Sequence, residues 1–472
     1  MMQAKIFFGS SQAITDTFSE RKSPFNGEVV STAPLCTEQD AKKALSIAKE
    51  ATVAAKASTL AQRCNWLLDV ASKLKENKED IAKTITDEVA KPITFARVEV
   101  ERCIETLTLC AETMRTMHGE TINTDAMNSG KKTLAFFRRE PVGVVVAITP
   151  FNFPLNLVAH KLGPALVAGN TVVLKPTPEA PLTAYKFAKL FIESEYAIKD
   201  ALSVVYGDAE VGSALIGSDI PRVISFTGSV PVGEIITRNS GIKKIGLELG
   251  GNAATFIEKT ADLALAASRC ALGAFVNSGQ VCISLQRIYV QEEVYDEFAS
   301  LMAMETKKLK VGSPYEDDTF MGPLIDDEAA QRAMSWVESA IEEGAVPLLP
   351  PHREGRMFHP CVMANVTDDM AIVCEEVFAP IVSLVKVDSF DDALPRMNNS
   401  PYGLQFSVFT NDLRITNRAI DELNAGGIVI NDMPTLRFDI QPYGGVKLSG
   451  VGREGPRFTI EEMTEIKSIV IC

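Results

Sequence analysis

The stretch GQVCIS, residues 279–284, holds a single thiol, Cys282, behind a Gly-Gln pair and between Val281 and Ile283. A thiolate is a strong nucleophile, but an ordinary thiol with a pKa of about 8.5 is mostly protonated at neutral pH and needs a base. The chain has four histidines, at 118, 160, 352 and 359, none of them near Cys282 in sequence. A carboxylate is the alternative: Glu248, in LELGGN, sits on a short apolar run ahead of Gly250 and Gly251. Apolar surroundings raise the pKa of a carboxyl towards neutrality, which suits a general base, although the same letters equally describe an exposed strand carboxylate. In ITPFNFPLN, Asn152 stands between Phe151 and Phe153 and before Pro154. An amide fixed there can donate to a developing oxyanion, and Asn is also a common turn former. Cys282 itself fits the usual fate of a free cysteine, a small buried hydrophobe, and spacing alone does not separate it from the other cysteines.

Two further stretches offer ligands for phosphate or hydroxyl groups. FTGSVPVG puts Gly228 and Gly233 just past an apolar run and opens a helix near Pro231, where free N–H groups and the positive helix end favour a phosphate. Its spacing is GxxxxG rather than GxGxxG, so a plain strand-to-helix turn accounts for it as well. LKPTPEAP ends another apolar run with Lys175, whose ammonium can bind hydroxyls or phosphate or simply reach solvent.

The elements that must position these residues follow from periodicity. Residues 38–57 and 60–74 are Ala-rich with apolar positions at three- and four-residue steps, which predicts amphipathic helices. Helical pattern continues from about Asp80 to His118, interrupted at KPI. KKTLAFFRREP alternates like an exposed or bridging strand, whereas VGVVVAITP is a continuous apolar run, the mark of a strand buried on both faces. Helix and buried strand then alternate through TVVLKP, ALSVVYG and RVISFTGS, which predicts a parallel, doubly wound sheet with ligands beyond the carboxyl ends of its strands. After LELGGNAATFI the pattern restarts with a long helix over 262–279, a strand RIYVQ, the helix EEVYDEFASLMAMETKKL and alternating elements to about Val387, a second α/β domain. The loop-rich run 426–455 reads as a surface threaded between domains, and EEMTEIKSIVIC closes as a strand-like tail.

At 472 residues the chain exceeds one comfortable core, so two or three domains are expected. Hydrophobic residues at 46% and charged residues at 23% describe a soluble globular protein. A formal charge of −14 argues against nucleic acid or an anionic membrane surface as a partner, since both recruit basic stripes. The first twenty residues lack the pattern of a secretory signal, and the most apolar stretch, PVGVVVAITPF, is far short of a membrane span. Nine scattered cysteines, an odd number without CxxC or a zinc-ligand cluster, fit reduced thiols in a cytoplasm and give no metal site.

Taken in order, PFNFP, LKPTPEAPL, FTGSVPVG, LELGGN, GQVCIS, EEVFAP and PYGGVKLSGVGREG resemble the successive signature motifs of the aldehyde dehydrogenase superfamily. The resemblance runs from about residue 135 to the end, and the N-terminal helices fit it; the wording is most similar to the lactaldehyde dehydrogenase-like branch. It implies two doubly wound α/β domains: a nucleotide-binding one from residues 1–119 and 141–249 and a catalytic one from 250–452. A bridging β element for oligomerisation would come from 120–140 and 453–472, in a homodimer or homotetramer. It implies that Cys282 attacks the aldehyde to give a thiohemiacetal, that Asn152 and the Cys282 N–H hold the oxyanion, and that Glu248 activates the water hydrolysing the resulting thioester. NAD or NADP would lie along Ile148, Thr149, Pro150 and Phe151, with Lys175, Thr177, Pro178 and Gly207 towards the adenosine ribose. Gly228, Ser229, Val232 and Gly233 would lie by the pyrophosphate, and Leu249, Gly250, Glu376 and Phe378 by the nicotinamide end.

Three departures from the family pattern bear on specificity. Pro178 stands where many NAD-dependent members have a Glu that grips the ribose, with Glu179 one place late, so NADP use is open. Phe151 replaces a usual Trp, and Ala379 a usual Gly. Val281, Ile283 and Phe153 suggest a small apolar-walled mouth. Arg437, in PTLRFDIQP, and Arg102, in EVERC, are candidates for meeting an anionic aldehyde, although each reads more simply as a solvated surface charge. The expected activity is oxidation of a small hydroxylated or anionic, lactaldehyde-like aldehyde to its acid. A semialdehyde dehydrogenase, of succinate semialdehyde or CoA-acylating type, and a thioester or ester hydrolase without redox chemistry are the alternatives; CoA-acylating enzymes generally lack the carboxylate base that Glu248 supplies.

Overall fold

The computed structural model describes residues 2–472. Its first sheet has eight strands, in the order Gly450–Val451, Lys244–Glu248, Val223–Thr227, Val144–Ile148, Thr171–Lys175, Leu202–Val204, Ile6–Phe8 and Ser11–Ala13. The five middle strands from Lys244–Glu248 to Leu202–Val204 are parallel, while both edges are antiparallel additions. Three of the five, Val223–Thr227, Thr171–Lys175 and Leu202–Val204, are buried at every residue, as continuous apolar runs require when helices cover both faces. One such helix, Glu38–Ala57, begins at a reciprocal Thr37–Asp40 capping box and buries Ala41, Ala44, Leu45, Ala48 and Ala55 along one stripe.

The register of this sheet decides where its chemistry collects. Ile148 pairs with Lys175 and with Phe226, and Thr227 pairs with Glu248, so these residues end their strands together on one edge. From that edge the chain passes through Gly250 and Gly251 into a second, seven-stranded sheet. Its order is Val346–Pro347, Cys361–Ala364, Ile381–Val387, Leu285–Gln291, Ala253–Ile257, Gln405–Phe409 and Gly427–Ile430, parallel except for the first strand. A third, antiparallel sheet joins Thr464–Ile471, Leu134–Pro141 and Glu120–Asn123, with the first two paired over eight residues.

Two expectations need correction. The first quarter is not only helical: strands at Met2–Gln3, Ile6–Phe8, Ser11–Ala13, Phe18–Lys22 and Val29–Pro34 precede the helices, too short and mixed to show a clear period. The helix expected over 262–279 ends at Phe275, because Asn277, Ser278 and Gly279 take φ of 53°, 57° and 71°. Successive left-handed residues stop a right-handed helix and turn the chain sharply. At Gly279 a side chain is also excluded by space, since a Cβ there would stand 2.2 Å from the Ala379 carbonyl oxygen.

Behind the Lys175 strand, the helix Pro181–Ile192 begins at a buried carboxylate supplied from elsewhere. Glu88 accepts from the N–H groups of Leu182 (2.8 Å) and Thr183 (2.9 Å) and from the hydroxyls of Thr183 (2.7 Å) and Ser31 (2.6 Å). A negative group at a helix N-terminus that also satisfies four donors ties three elements together. Glu88→Ala is expected to lower the unfolding free energy by about 3 kcal/mol, since several buried donors lose their acceptor. A urea titration checks this; a midpoint within error of the parent at unchanged slope would contradict the assignment.

Candidate active site

Cys282, Glu248 and Asn152, far apart in sequence, line one cavity of about 600 Å³ where the two parallel sheets meet. Glu248 arrives as the last residue of its strand. Cys282 arrives just after the left-handed turn that ends the preceding helix, and its carbonyl lies against Gly251, where a Cβ would stand 2.1 Å from the Cys282 oxygen. The Cys282 loop and the turn after the Glu248 strand can touch only because Gly251 is bare. Asn152 is clamped from both ends: its Nδ2 donates to the Gln280 carbonyl at 3.1 Å, and its Oδ1 accepts from the Phe153 N–H at 3.1 Å. Asn277 Nδ2 bridges the same two loops, reaching the carbonyls of Asn152 (3.4 Å) and Gln280 (3.3 Å). An amide nitrogen has two hydrogens, so Asn152 keeps one for another acceptor. The Cys282 N–H has no hydrogen-bond partner among the described residues.

Burial sets the proton affinities. It pushes the Cys282 thiol up to about 12, with a Tyr443 hydrogen bond and Arg437 pulling back and Glu376 and Glu248 pushing further. Glu248 is 6% exposed, with Oε2 lacking any partner. Its carboxyl is raised well above the usual range by burial first and by the nearby Glu454 charge second, against Arg437, Lys161 and Arg453. Glu454, by contrast, is held low despite burial, because Lys161, His160 and Arg437 surround it. Its Oε1 lies 3.4 Å from Lys161 Nζ and its Oε2 3.1 Å from Arg437 Nη2. Two buried carboxylates therefore divide the roles: one takes the cations, and the other is left without a partner and binds its proton more tightly than an ordinary carboxyl. A further space of about 20 Å³, room for one water, lies behind Glu248 against Lys161, Ser225 and Glu454.

Arg437 and Arg102 are not solvated surface charges, as their sequence suggested. The Arg437 side chain is only 9% exposed, with its guanidinium 3.7 Å from the Tyr443 ring centroid. Arg102 makes a two-pronged pair with Asp439, at 2.9 and 2.7 Å, and Asp439 also meets His160 Nε2 at 3.0 Å. Both arginines line the cavity with Phe153, Val281 and Ile283, as does Lys91, which is paired with Glu99 and lies 3.9 Å from the Phe153 ring centroid. The wall is thus apolar near the thiol and cationic along one side.

The edge of the first sheet forms a crevice with donors to spare. Lys175 is 8% exposed, and its ammonium, which keeps access to solvent, has neither an ion pair nor a hydrogen bond among the described residues. Asp208 and Glu179 are its nearest opposing charges. Glu179 is engaged by the Thr177 hydroxyl, and Pro178 is exposed. The buried hydroxyls of Thr149 and Thr227, at neighbouring strand ends, also lack partners. Glu376 accepts from the Gly251 N–H at 2.9 Å, and burial carries its carboxyl up to about 7. Phe378, at φ 47°, meets Phe151 edge to face with centroids 6.1 Å apart. Pro150, Phe151, Gly228, Ser229, Leu249, Gly250, Glu376 and Phe378 line the same cavity as Cys282. Ile148, Thr149, Lys175, Thr177, Pro178, Gly207, Val232 and Gly233 lie outside it, and Val232 is 41% exposed.

The sequence pattern of the "Aldehyde dehydrogenase family" matches residues 10–469. The chain belongs to the aldehyde dehydrogenase family. It is 43% identical over 440 residues to 3-sulfolactaldehyde dehydrogenase of Priestia aryabhattai, covering 93% of this chain and 91% of that one. It is 39% identical over 456 residues to lactaldehyde dehydrogenase of Methanococcus aeolicus, covering 96% and 97%. The structure of glyceraldehyde-3-phosphate dehydrogenase from Methanocaldococcus jannaschii complexed with NADP superposes with a TM-score of 0.93 at 38% identity, over 97% of this chain and 100% of that chain. The two-sheet α/β architecture is therefore the family fold.

Sequence reasoning missed several residues of this aldehyde dehydrogenase's site. Tyr443, Glu454, Asn277 and Gln280 carry no periodic signal, and only their places inside PYGG, GREG and the turn before Cys282 hint at them; Lys161 lies inside the apolar helix Asn156–Val167. The orphaned ammonium of Lys175 generates a direct test. Lys175→Met is expected to weaken NAD and NADP binding roughly tenfold or more, the worth of a charged hydrogen bond. Titration calorimetry checks this, and equal affinity in both proteins would remove Lys175 from the crevice's function.

Proposed function

We propose that this aldehyde dehydrogenase oxidises a small hydroxylated or anionic aldehyde to its carboxylic acid with NAD or NADP, using Cys282 as nucleophile, Glu248 as base and Asn152 as oxyanion donor. The observation that carries the reading is the convergence of these three groups on one cavity with cations along a wall, next to a crevice of unpartnered donors. The substrates named in the three relatives are small aldehydes bearing a hydroxyl, two of them also a sulfonate or phosphate, and one relative is complexed with NADP. Arg437 and Arg102 are the groups of this chain suited to such an anion. Both are positioned by carboxylates, so their donors are held rather than free to wander.

Glu248, raised by burial, takes the thiol proton; the resulting thiolate adds to the aldehyde carbon. The spare Asn152 hydrogen and the Cys282 N–H meet the oxyanion. Lys175, Thr149, Thr227 and Glu376 are the residues that would hold the dinucleotide, whose oxidised nicotinamide would supply the acceptor for the hydride. Glu248 then deprotonates a water that hydrolyses the thioester on Cys282. Hydrolysis rather than transfer to CoA is favoured because the carboxylate is present and lies in the cavity. Assembly as a homodimer or homotetramer is supported by the third sheet, which exposes Ile122, Leu134, Ile466 and Val470. The odd, unpaired cysteines support a reducing cytoplasm.

The test is an aldehyde panel with NAD and NADP in parallel, scored by kcat/KM from reduced-nicotinamide absorbance. Hydroxylated and anionic aldehydes should lead, and Cys282→Ala should show no reduction. No cofactor reduction with any aldehyde would sink the reading. In Glu248→Gln the first equivalent of cofactor should be reduced more slowly, for want of a base for the thiol, and steady turnover should fall roughly 100-fold with acyl-enzyme trapped. The base acts ionised and its pKa is raised, so the parent's hydrolytic rate should climb with pH through a limb above the ordinary carboxylate value of about 4.3. A rate already flat from pH 5 would exclude Glu248 as that base.

A further inference from the structure

We infer that Tyr443 is a second catalytic residue, a hydrogen-bond donor to the Cys282 sulfur that is strengthened by the Arg437 guanidinium stacked on its ring. The inference rests on Cys282 being the nucleophile, as proposed above, and adds to it the group that stabilises the thiolate.

Tyr443 Oη lies 3.0 Å from Cys282 Sγ, the one hydrogen bond the sulfur makes among the described residues. Tyr443 is 5% exposed, so water does not compete for that contact. While the sulfur is a thiol, either group can donate. A thiolate has no hydrogen, so once the sulfur ionises the phenol must be the donor. Arg437 stands with its central carbon 3.7 Å from the ring centroid, and a cation over the ring face draws electron density from the phenol, making its O–H a stronger donor. The cation cannot swing away, because Glu454 holds its Nη2 at 3.1 Å.

The other charged groups facing the sulfur are the carboxyls of Glu248 and Glu376, both of which oppose a thiolate. Tyr443 and Arg437 are the favourable neighbours that act most strongly on the sulfur. Their effect is felt twice in one turnover. In the first half, the thiol proton passes to Glu248, the S–C bond forms, and the carbonyl π pair moves to oxygen. That pair re-forms the C=O bond as the hydride departs to the oxidised nicotinamide, leaving the thioester, and the Glu248 proton escapes to solvent. In the second half, water gives a proton to Glu248 and adds to the carbonyl; the C–S bond then breaks with its electron pair returning to sulfur. At both moments the sulfur bears negative charge, and at both the Tyr443 hydroxyl is within hydrogen-bond distance of it.

The test measures the thiol directly, without aldehyde or cofactor. The full-length protein is alkylated with iodoacetamide across a pH series, and the label on the Cys282 peptide is followed by mass spectrometry. Tyr443→Phe keeps the ring and removes the donor. It should move the Cys282 titration midpoint up by about one unit, read as roughly tenfold slower alkylation at each pH below the midpoint. Arg437→Met should move it the same way by less. Replacing Tyr443 by 3-fluorotyrosine, whose phenol is more acidic and which preserves the packing if the Tyr443→Phe variant fails to fold, should move the midpoint down. Alkylation profiles of Tyr443→Phe or of the fluorinated protein that superimpose on the parent would overturn the inference. Cofactor reduction by the parent tests the dehydrogenase reading separately, since neither result depends on the other.

Discussion

Everything in the site depends on strands that run parallel and in register, so that their last residues end on a common edge. Lys175, Ile148, Thr227 and Glu248 share that edge because Ile148 pairs with Lys175 and with Phe226, and Thr227, next to Phe226, pairs with Glu248. A one-residue slip would turn each of these side chains to the opposite face. The second constraint is a contact of bare backbone. Gly251 lies against the Cys282 carbonyl, which lets the crossing between the two sheets bring the thiol next to the Glu248 strand. The left-handed turn at Asn277–Gly279 supplies the other half of that approach by ending the helix early.

Within this frame the electrostatics follow from an unequal sharing of partners. A buried charge is tolerated when it is paired and hydrogen-bonded, and otherwise the group tends to stay neutral. Glu454 takes Lys161 and Arg437, and Asp439 takes Arg102 and His160. Glu248 lies among the same cations but forms no ion pair with any of them among the described residues, and burial raises its proton affinity above that of an ordinary carboxyl. Cys282 likewise has a hydroxyl for a neighbour instead of an imidazole. The absence of a histidine beside the thiol is thus answered by a carboxyl, a phenol and a guanidinium, each contributing less than a histidine pair would and each held in place by burial. Arg437 connects these parts, since it contacts Tyr443 on one side and Glu454 on another.

Much of this was legible in the residues alone. Continuous apolar runs gave the buried parallel strands, Ala-rich three-and-four periodicity gave the helix Glu38–Ala57 to the residue, and the motif order pointed to the family. What misled was local. The pattern from Asp262 to Gly279 is helical by composition, yet three left-handed residues end the helix at Phe275, a choice enforced by the Ala379 backbone lying a hundred residues further on. The short N-terminal strands were invisible because each carries too few residues to show a period, and Ile6–Phe8 also takes a distant partner in Leu202–Val204.

The sequence by itself determined the chemistry available: one thiol in a small-residue loop, a carboxyl on an apolar strand, an amide between aromatics, and a lysine at a strand end. These depend on residue type and on near neighbours, which the letters display. Only the tertiary structure decided which charges are spent on one another and which are left free. Arg437 reads as a surface charge in PTLRFDIQP, but folding buries it against Tyr443 and Glu454; Lys175 reads as an ordinary strand-end lysine, but folding buries it without a partner. The reason is physical: desolvation and pairing depend on which atoms the fold brings within a few ångströms, whether from a nearby loop or from a distant element, and no local pattern encodes that distance.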